Sequence, residues 1–492
     1  MEEDSHTCRC PCRDQLPPNP KEGDLQDRVK KTCMTNNDVS QVWRGFLQET
    51  TLHGCKNAED SQRGSVHRAL WTLLVLGMLG GLLFTLFQSY KDFCEYRVIS
   101  KTQINVEREM PFPAITVCNM NNIDVFEKNI SQTLKNYLFN FTIYGNLPPV
   151  NWSDPKSREL EQLTLSYVNE HYSTNMSKFI SAVRWRGTGE MTFKPVNAYV
   201  GKCFVANTNL TDVAKSTFEG RNGGLEMFLN IGDEGAIMEG DLTAGAMIFL
   251  HEPKEYARTL ESGIMVAPGS SFFIDVRQTK YKYMPAPYKS YGDSYCVDVD
   301  STYSYDGCMR AWASTQAATA CNCTSVIEPL EIQEKYPDCS MRQFSECYVV
   351  AHGYFLKQTL REDFTACQKP CSYVRYDTGI SFARYPSEPA GHYIVDLIRQ
   401  QGYANVTVDY LRRNVILVKI YYDRFITQRV EYFPEVTING ILSSLGGQMG
   451  FFLGASLVTV AEIGQTLFMM LWTLLRKMMK YGGTNTKIAS RK

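Results

Sequence analysis

The sequence predicts an α+β membrane protein in which two membrane-spanning helices flank a large, disulfide-rich extracellular domain. Three observations carry this expectation. Two long apolar segments, 69–88 and 441–475, stand about 350 residues apart. All seven Asn-x-Ser/Thr sequons fall between them, at Asn129, Asn140, Asn151, Asn175, Asn209, Asn322 and Asn405. Eleven of the 16 cysteines fall there too, as expected of an oxidising compartment. Composition alone hides this organisation: 492 residues, a formal charge of −1 and 44% hydrophobic content would equally suit two or three soluble domains.

The N-terminal region, 1–68, reads as a cytosolic tail. It holds Cys8, Cys10, Cys12, Cys33 and Cys55, which the cytosol should keep reduced. The Cys8–Cys12 cluster suits a metal site or palmitoylation. No second ligand cluster at zinc spacing accompanies it, so a disordered tail without metal is expected.

Segment 69–88 is uncharged, and about 20 apolar residues cross a hydrocarbon core of roughly 30 Å. It starts too far into the chain for a cleaved signal peptide. Segment 441–475 is longer than one span requires, so it must tilt, break or extend beyond the bilayer. The tail that follows, 476–492, carries Arg476, Lys477, Lys480, Lys487, Arg491 and Lys492 and no acid. That bias places both termini in the cytosol and 89–440 outside.

Within 89–440, strands are expected at 98–120, 202–206, 224–231, 245–251, 263–266, 271–277 and 414–422. A helix is expected at 160–170, and a stapled helical module at 296–371. Eleven cysteines leave one unpaired, and Cys94, just past the first span, is the candidate.

The most informative stretch opens the second span. Gly446, Gly450 and Gly454 recur every fourth residue, a smooth stripe along one side of a helix. A stripe of this kind packs against a neighbouring helix or lets copies of itself converge. Glu462 lies inside the span, where a charge against lipid costs roughly 2.5–3.5 kcal/mol or more, so it should face protein or water. A break at 454–456 would be tolerated only where buried in protein or lining water. Together these features describe a pore lining.

The string Gly446-Gly-Gln-Met-Gly-Phe-Phe-Leu-Gly-Ala-Ser456, followed by Glu462, resembles the second span of the degenerin / epithelial sodium channel / acid-sensing ion channel superfamily. Thr51-Leu-His-Gly54 resembles the family's His-Gly gating motif, and Phe112-Pro-Ala-Ile-Thr-Val-Cys-Asn119 its first palm strand. Gly201-Lys-Cys-Phe204, Gly224-Leu-Glu226, Val266-Ala-Pro-Gly269 and Met284-Pro-Ala-Pro287 resemble further landmarks. The similarity covers most of 50–475 and is nearest to the acid-sensing and bile-acid-sensitive branch.

The resemblance implies a trimeric, amiloride-sensitive sodium channel of the plasma membrane, homomeric or heteromeric, with a hand-shaped extracellular domain of palm, β-ball, finger and thumb. It implies a selectivity filter at Gly454, Ala455 and Ser456, a gate near Ser443, Gly446 and Gly450, and a ring of Glu462 carboxylates that concentrates cations. His53 and Gly54 would belong to a re-entrant loop lining the lower pore, and Tyr96 and Tyr288 would couple domain to pore. The implied bridges are Cys118–Cys203, Cys296–Cys371, Cys308–Cys367, Cys321–Cys347 and Cys323–Cys339. One bridge of the acid-sensing pattern is missing, its positions held by Trp312 and Thr365.

The residues also have plainer readings. Ser456 can bond back to its own helix, His53-Gly54 can be a simple turn, and both tyrosines can be interfacial anchors.

Acid gating is doubtful on this pattern. The palm acidic pair resembles Asp233-Glu234, but the thumb carboxylates are replaced by Val349 and Gly353, and Val98, Gln103 and Ile104 stand where a His-plus-acid group belongs. The carboxylate pairs that would share a proton are lost. His352 reads as an exposed structural histidine, the alternative being a pH-responsive group that titrates near neutrality. The opening stimulus is open: a peptide, a small molecule, or none.

No nucleophile elbow, phosphate loop or His-Glu-x-x-His is present, and nothing points to an enzyme, a cofactor or a nucleic-acid partner. The permeant sodium ion would be the only small species required. The alternative is a two-span receptor or adhesion protein without a pore, which explains the sequons and cysteines but not Glu462 or the Gly-Ala-Ser string.

Overall fold

The computed structural model describes residues 39–489, apart from 61, 63, 122, 124–129, 138–150, 199–200, 233–242, 256–262, 293, 301–302, 362–363, 401 and 403–404; for 40, 41 and 476–489 only the backbone is described. The chain divides into two units, one of Met1–Tyr96 with Val436–Lys492 and one of Arg97–Glu435.

The second unit is built from thirteen described strands: β1 Val98–Val106, β2 Met110–Pro111, β3 Ala114–Asn119, β4 Ile180–Thr188, β5 Lys194–Ala198, β6 Gly201–Ala206, β7 Lys215–Ser216, β8 Gly224–Asn230, β9 Ala246–His251, β10 Ile264–Val266, β11 Ser270–Lys282, β12 Ser372–Arg384 and β13 Val415–Pro434. The larger sheet runs β12-β11-β13-β8-β4-β7-β2, with β1 also on β13; the smaller runs β10-β9-β3-β6-β5.

Period-2 alternation explains where β13 sits. Ile416, Val418, Ile420 and Tyr422 are buried on one face, beside Leu225, Met227 and Leu229 of β8 and Ile274 and Val276 of β11. These side chains form the main core with Phe112, Ile115 and Val117. β13 runs twelve residues past the expected end at Tyr422, because beyond it Ile426–Pro434 is held by backbone pairing with β1. Its polar residues there give no hydrophobic pattern. β12, which escaped prediction, lies at a sheet edge and pairs residue for residue with β11. The helix expected at 160–170 is two, Arg158–Glu161 and Leu165–His171, because the Thr164 hydroxyl accepts the Tyr167 N–H and starts a new helix.

Five disulfides close: Cys118–Cys203 between the paired strands β3 and β6, and Cys296–Cys371, Cys308–Cys367, Cys321–Cys347 and Cys323–Cys339 across the cysteine-rich stretch. These are the five pairs the resemblance implies. The Cys94 thiol is free and exposed. The stapled stretch packs helix Tyr305–Cys321 on helix Val349–Thr359. Trp312 meets Phe364, the neighbour of Thr365, with ring centroids 5.0 Å apart, so an aromatic contact occupies the region of the missing bridge. Asn151, Asn175, Asn209, Asn322 and Asn405 are exposed; Asn129 and Asn140 lie outside the described residues.

His352 is buried, not exposed as the sequence suggested, because its helix turns it into the interior of this module. Its Nε2 lies 3.9 Å from the buried Glu328 carboxylate, which also faces Arg310 at 3.9 Å and accepts the Ser314 hydroxyl at 2.5 Å. The Tyr348 ring lies over the imidazole. Burial pushes the His352 pKa below its usual value, Glu328 opposes the shift and Arg310 reinforces it. The unfolded chain therefore binds this proton first. His352 costs no stability above about pH 6.5, and stability falls as pH drops below that value toward the folded pKa. Thermal denaturation should show a steeper loss between pH 7.5 and 5.5 for the wild type than for His352→Gln. Parallel profiles would refute this.

Candidate functional site

The first unit contains two helices long and apolar enough to cross a membrane, Ser65–Cys94 and Leu457–Leu475. The first extends beyond the expected 69–88 at both ends. The second apolar segment is divided. Helix Ile438–Leu453 ends, 454–456 is unwound, and helix Leu457–Ala489 follows.

Local chemistry dictates the break. Gly454 adopts φ 62°, ψ 22°, and its N–H bonds Gly450 O at 3.0 Å, a left-handed helix cap that glycine enters without penalty. Gly454 therefore ends the helix and does not continue the glycine stripe. The next helix starts at Ser456, whose hydroxyl accepts the Thr459 N–H at 3.4 Å while the Thr459 hydroxyl accepts the Ser456 N–H at 3.0 Å. The Ser456 hydroxyl thus bonds within its own helix start.

A short segment between helix Val39–Glu49 and helix Cys55–Glu59 lies against this break. The His53 N–H donates to Leu453 O at 3.0 Å. Its imidazole covers Gly454 so closely that a Cβ built there would sit 1.4 Å from Nδ1. Thr51 reaches Glu462 Oε2 with its N–H at 3.1 Å and its hydroxyl at 3.2 Å, and the Thr50 hydroxyl adds a third donor at 3.3 Å. The Thr51 hydroxyl also lies 2.7 Å from that of the fully buried Thr459. Gly54, at φ 89°, turns the chain against Trp71 and Val75 of the first membrane helix. His53, Gly54, Gly454, Ser456 and Glu462 are thus parts of one constellation. The Glu462 carboxylate, expected to attract cations, is here the acceptor that holds this segment.

The glycine stripe is used differently. The first membrane helix approaches helix Ile438–Leu453 through Gly81, where a Cβ would meet the Phe452 ring at 2.8 Å, and through Ser89, whose hydroxyl accepts the Gln448 amide at 3.4 Å. Ser443, Gly446 and Gly450 take no part. All three are exposed, and a Cβ at Gly446 would meet nothing within 4 Å. Their spacing places them on one face.

Thr50, Thr51 and Thr459 were missed as site residues. The Thr51-Leu-His-Gly54 motif contains one of them, and Ser456-x-x-Thr459 has the spacing of a helix-start pair. Tyr96 belongs to the first unit, at φ 50° beside Phe93, and Tyr288 to the second, in a turn closed onto Pro285 O. Asp233 and Glu234 lie outside the described residues. Among the described residues, no group of three or more His, Cys, Asp or Glu side chains is placed to hold a metal ion.

The family model "Amiloride-sensitive sodium channel" matches residues 46–465. The chain is 26% identical to acid-sensing ion channel 1C of Danio rerio, covering 91% of this chain and 86% of that one. It is 25% identical to acid-sensing ion channel 1 of Gallus gallus, covering 85% and 82%, and 25% identical to acid-sensing ion channel 2 of Rattus norvegicus, covering 85% and 84%.

Proposed function

The chain belongs to the amiloride-sensitive sodium channel family, and from that premise we propose that it is a sodium-selective, amiloride-sensitive channel of the plasma membrane, opened by an extracellular ligand or constitutively. Membership makes it a cation channel of that superfamily and not an enzyme. Three copies, identical or with related subunits, would surround the pore, with both termini in the cytosol.

The observation that supports this reading is the divided second span. Its break is held by a chain segment from before the first span, while the Ser443–Gly446–Gly450 face is left open. A helix that merely packed on its neighbour would turn its glycines to that neighbour. Here Gly81 serves that contact. Around an axis, Gly454, Ala455 and Ser456 would supply oxygens that replace part of an ion's water shell. Ser443 would crowd its copies at the gate, and Tyr96 and Tyr288 would link domain and pore.

Gating by protons, which the relatives' names suggest, is not proposed through the usual carboxylate pairs, because Val349 and Gly353 occupy the thumb positions. The stimulus is a peptide, a small molecule or a bile-acid-like amphiphile, or the pore opens constitutively.

Expression in oocytes with sodium as charge carrier tests the pore against a non-conducting receptor. Ser456→Cys should change the sodium-to-potassium permeability ratio or confer sensitivity to thiol reagents. A well-expressed variant with neither change would remove Ser456 from the filter.

A further inference from the structure

A cavity of about 260 Å³ opens on one face of the larger sheet. Strand register defines that face. Lys280 and Lys282 are two apart on β11 and point the same way. Lys280 stands opposite Arg429 of β13, and Lys282 opposite Ser372 of β12 and Glu431 of β13. Lys101 of β1 stands opposite Glu431 from the other side. Lys254 closes the cavity and is paired with Glu252 at 3.2 Å.

The charges on this face do not balance. Lys254, Lys280, Lys282 and Arg429 line the cavity with two carboxylates, Glu252, paired with Lys254, and Glu431, which lies 3.7 Å from Arg429, so two positive charges are in excess. Among the described residues no carboxylate lies within 4.0 Å of Lys280, Lys282 or Lys101. Like charges directly opposite each other on neighbouring strands are destabilising, and Lys280 against Arg429 is such a pair. A bound group with two negative charges would relieve the repulsion, and the Ser372 hydroxyl offers it a neutral donor.

We propose that this face is a binding site for a doubly charged oxyanion, a phosphate or sulfate group, held between Lys280, Lys282 and Arg429. The group is carried by a soluble ion or ester, or by a lipid headgroup. The site lies wholly within the extracellular unit and is distinct from the divided span.

The test uses the full chain in nanodiscs. In phosphatidylcholine discs, equilibrium dialysis with radiolabelled inorganic phosphate should show saturable, salt-sensitive binding. Lys280→Gln combined with Lys282→Gln should weaken it by about tenfold or more. Glu431→Gln, which removes the carboxylate beside Arg429, should tighten it, and this opposite sign keeps the test decisive if the double variant folds poorly. A lipid source is indicated if free phosphate does not bind but discs containing phosphatidic acid raise the thermal stability of the wild type and not of the double variant. The proposal is overturned if neither probe binds, or if both act equally on wild type and variants.

Discussion

Replacing Gly454 by alanine should abolish sodium current while leaving the chain at the cell surface. Two costs meet at this position. At φ +62° a side chain costs roughly 1–2 kcal/mol, which alone the protein would survive. The larger obstacle is His53, whose Nδ1 lies 1.4 Å from where the new Cβ must go. The imidazole must leave, and with it the bond to Leu453 O and the alignment of Thr51 with Glu462. The break would lose its support while the fold of Arg97–Glu435, built in the other unit, stays intact. Gly446→Ala makes a useful partner experiment, because its Cβ meets nothing within 4 Å in one chain. Altered gating there requires a second copy facing that surface. Currents and surface biotinylation, measured together, decide the matter. Ordinary currents from Gly454→Ala would show that the divided span is not the conducting element.

The second large effect is expected in the stapled module. Cys308–Cys367 ties the first turn of helix Tyr305–Cys321 to residues 59 positions away. Loss of a native bridge typically costs roughly 2–5 kcal/mol. Cys308→Ser and Cys367→Ser should each lower surface expression sharply. The double variant should be little worse than either, because both remove the same bond. Cys94→Ser should be tolerated, since that thiol is exposed and unbonded within the chain. Additive losses at 308 and 367 would disprove the pairing, and a Cys94-dependent dimer on non-reducing gels would assign that thiol to a contact between copies.

Much was legible in the sequence because its signals are local. Apolar runs of sufficient length mark candidate spans whatever surrounds them. Gly454 announces a break because few other residues enter its backbone region. The apolar alternation of 414–422 marks a central strand for the same reason: burial on one face of a pleated ribbon repeats every two residues. The disulfide pairing was different. Ten cysteines permit many connectivities, and only the resemblance chose among them until the bonds were seen to close in the fold.

What the tertiary structure alone decided depends on residues distant in sequence. The far half of β13 is a strand because β1 pairs with its backbone groups; β12, by contrast, alternates Val374, Tyr376, Ile380 and Phe382 with Arg375, Asp377 and Ser381, a period-2 signal that was present and missed. His352 is buried because helix Val349–Thr359 turns it toward Glu328, 24 residues earlier in the chain. The roles of Thr50 and Thr51 require Glu462, more than four hundred residues away. A threonine carries no local mark of such a partner. Composition and periodicity report what each residue prefers. Which carboxylate a hydroxyl meets is set by chain packing, and only the fold specifies it.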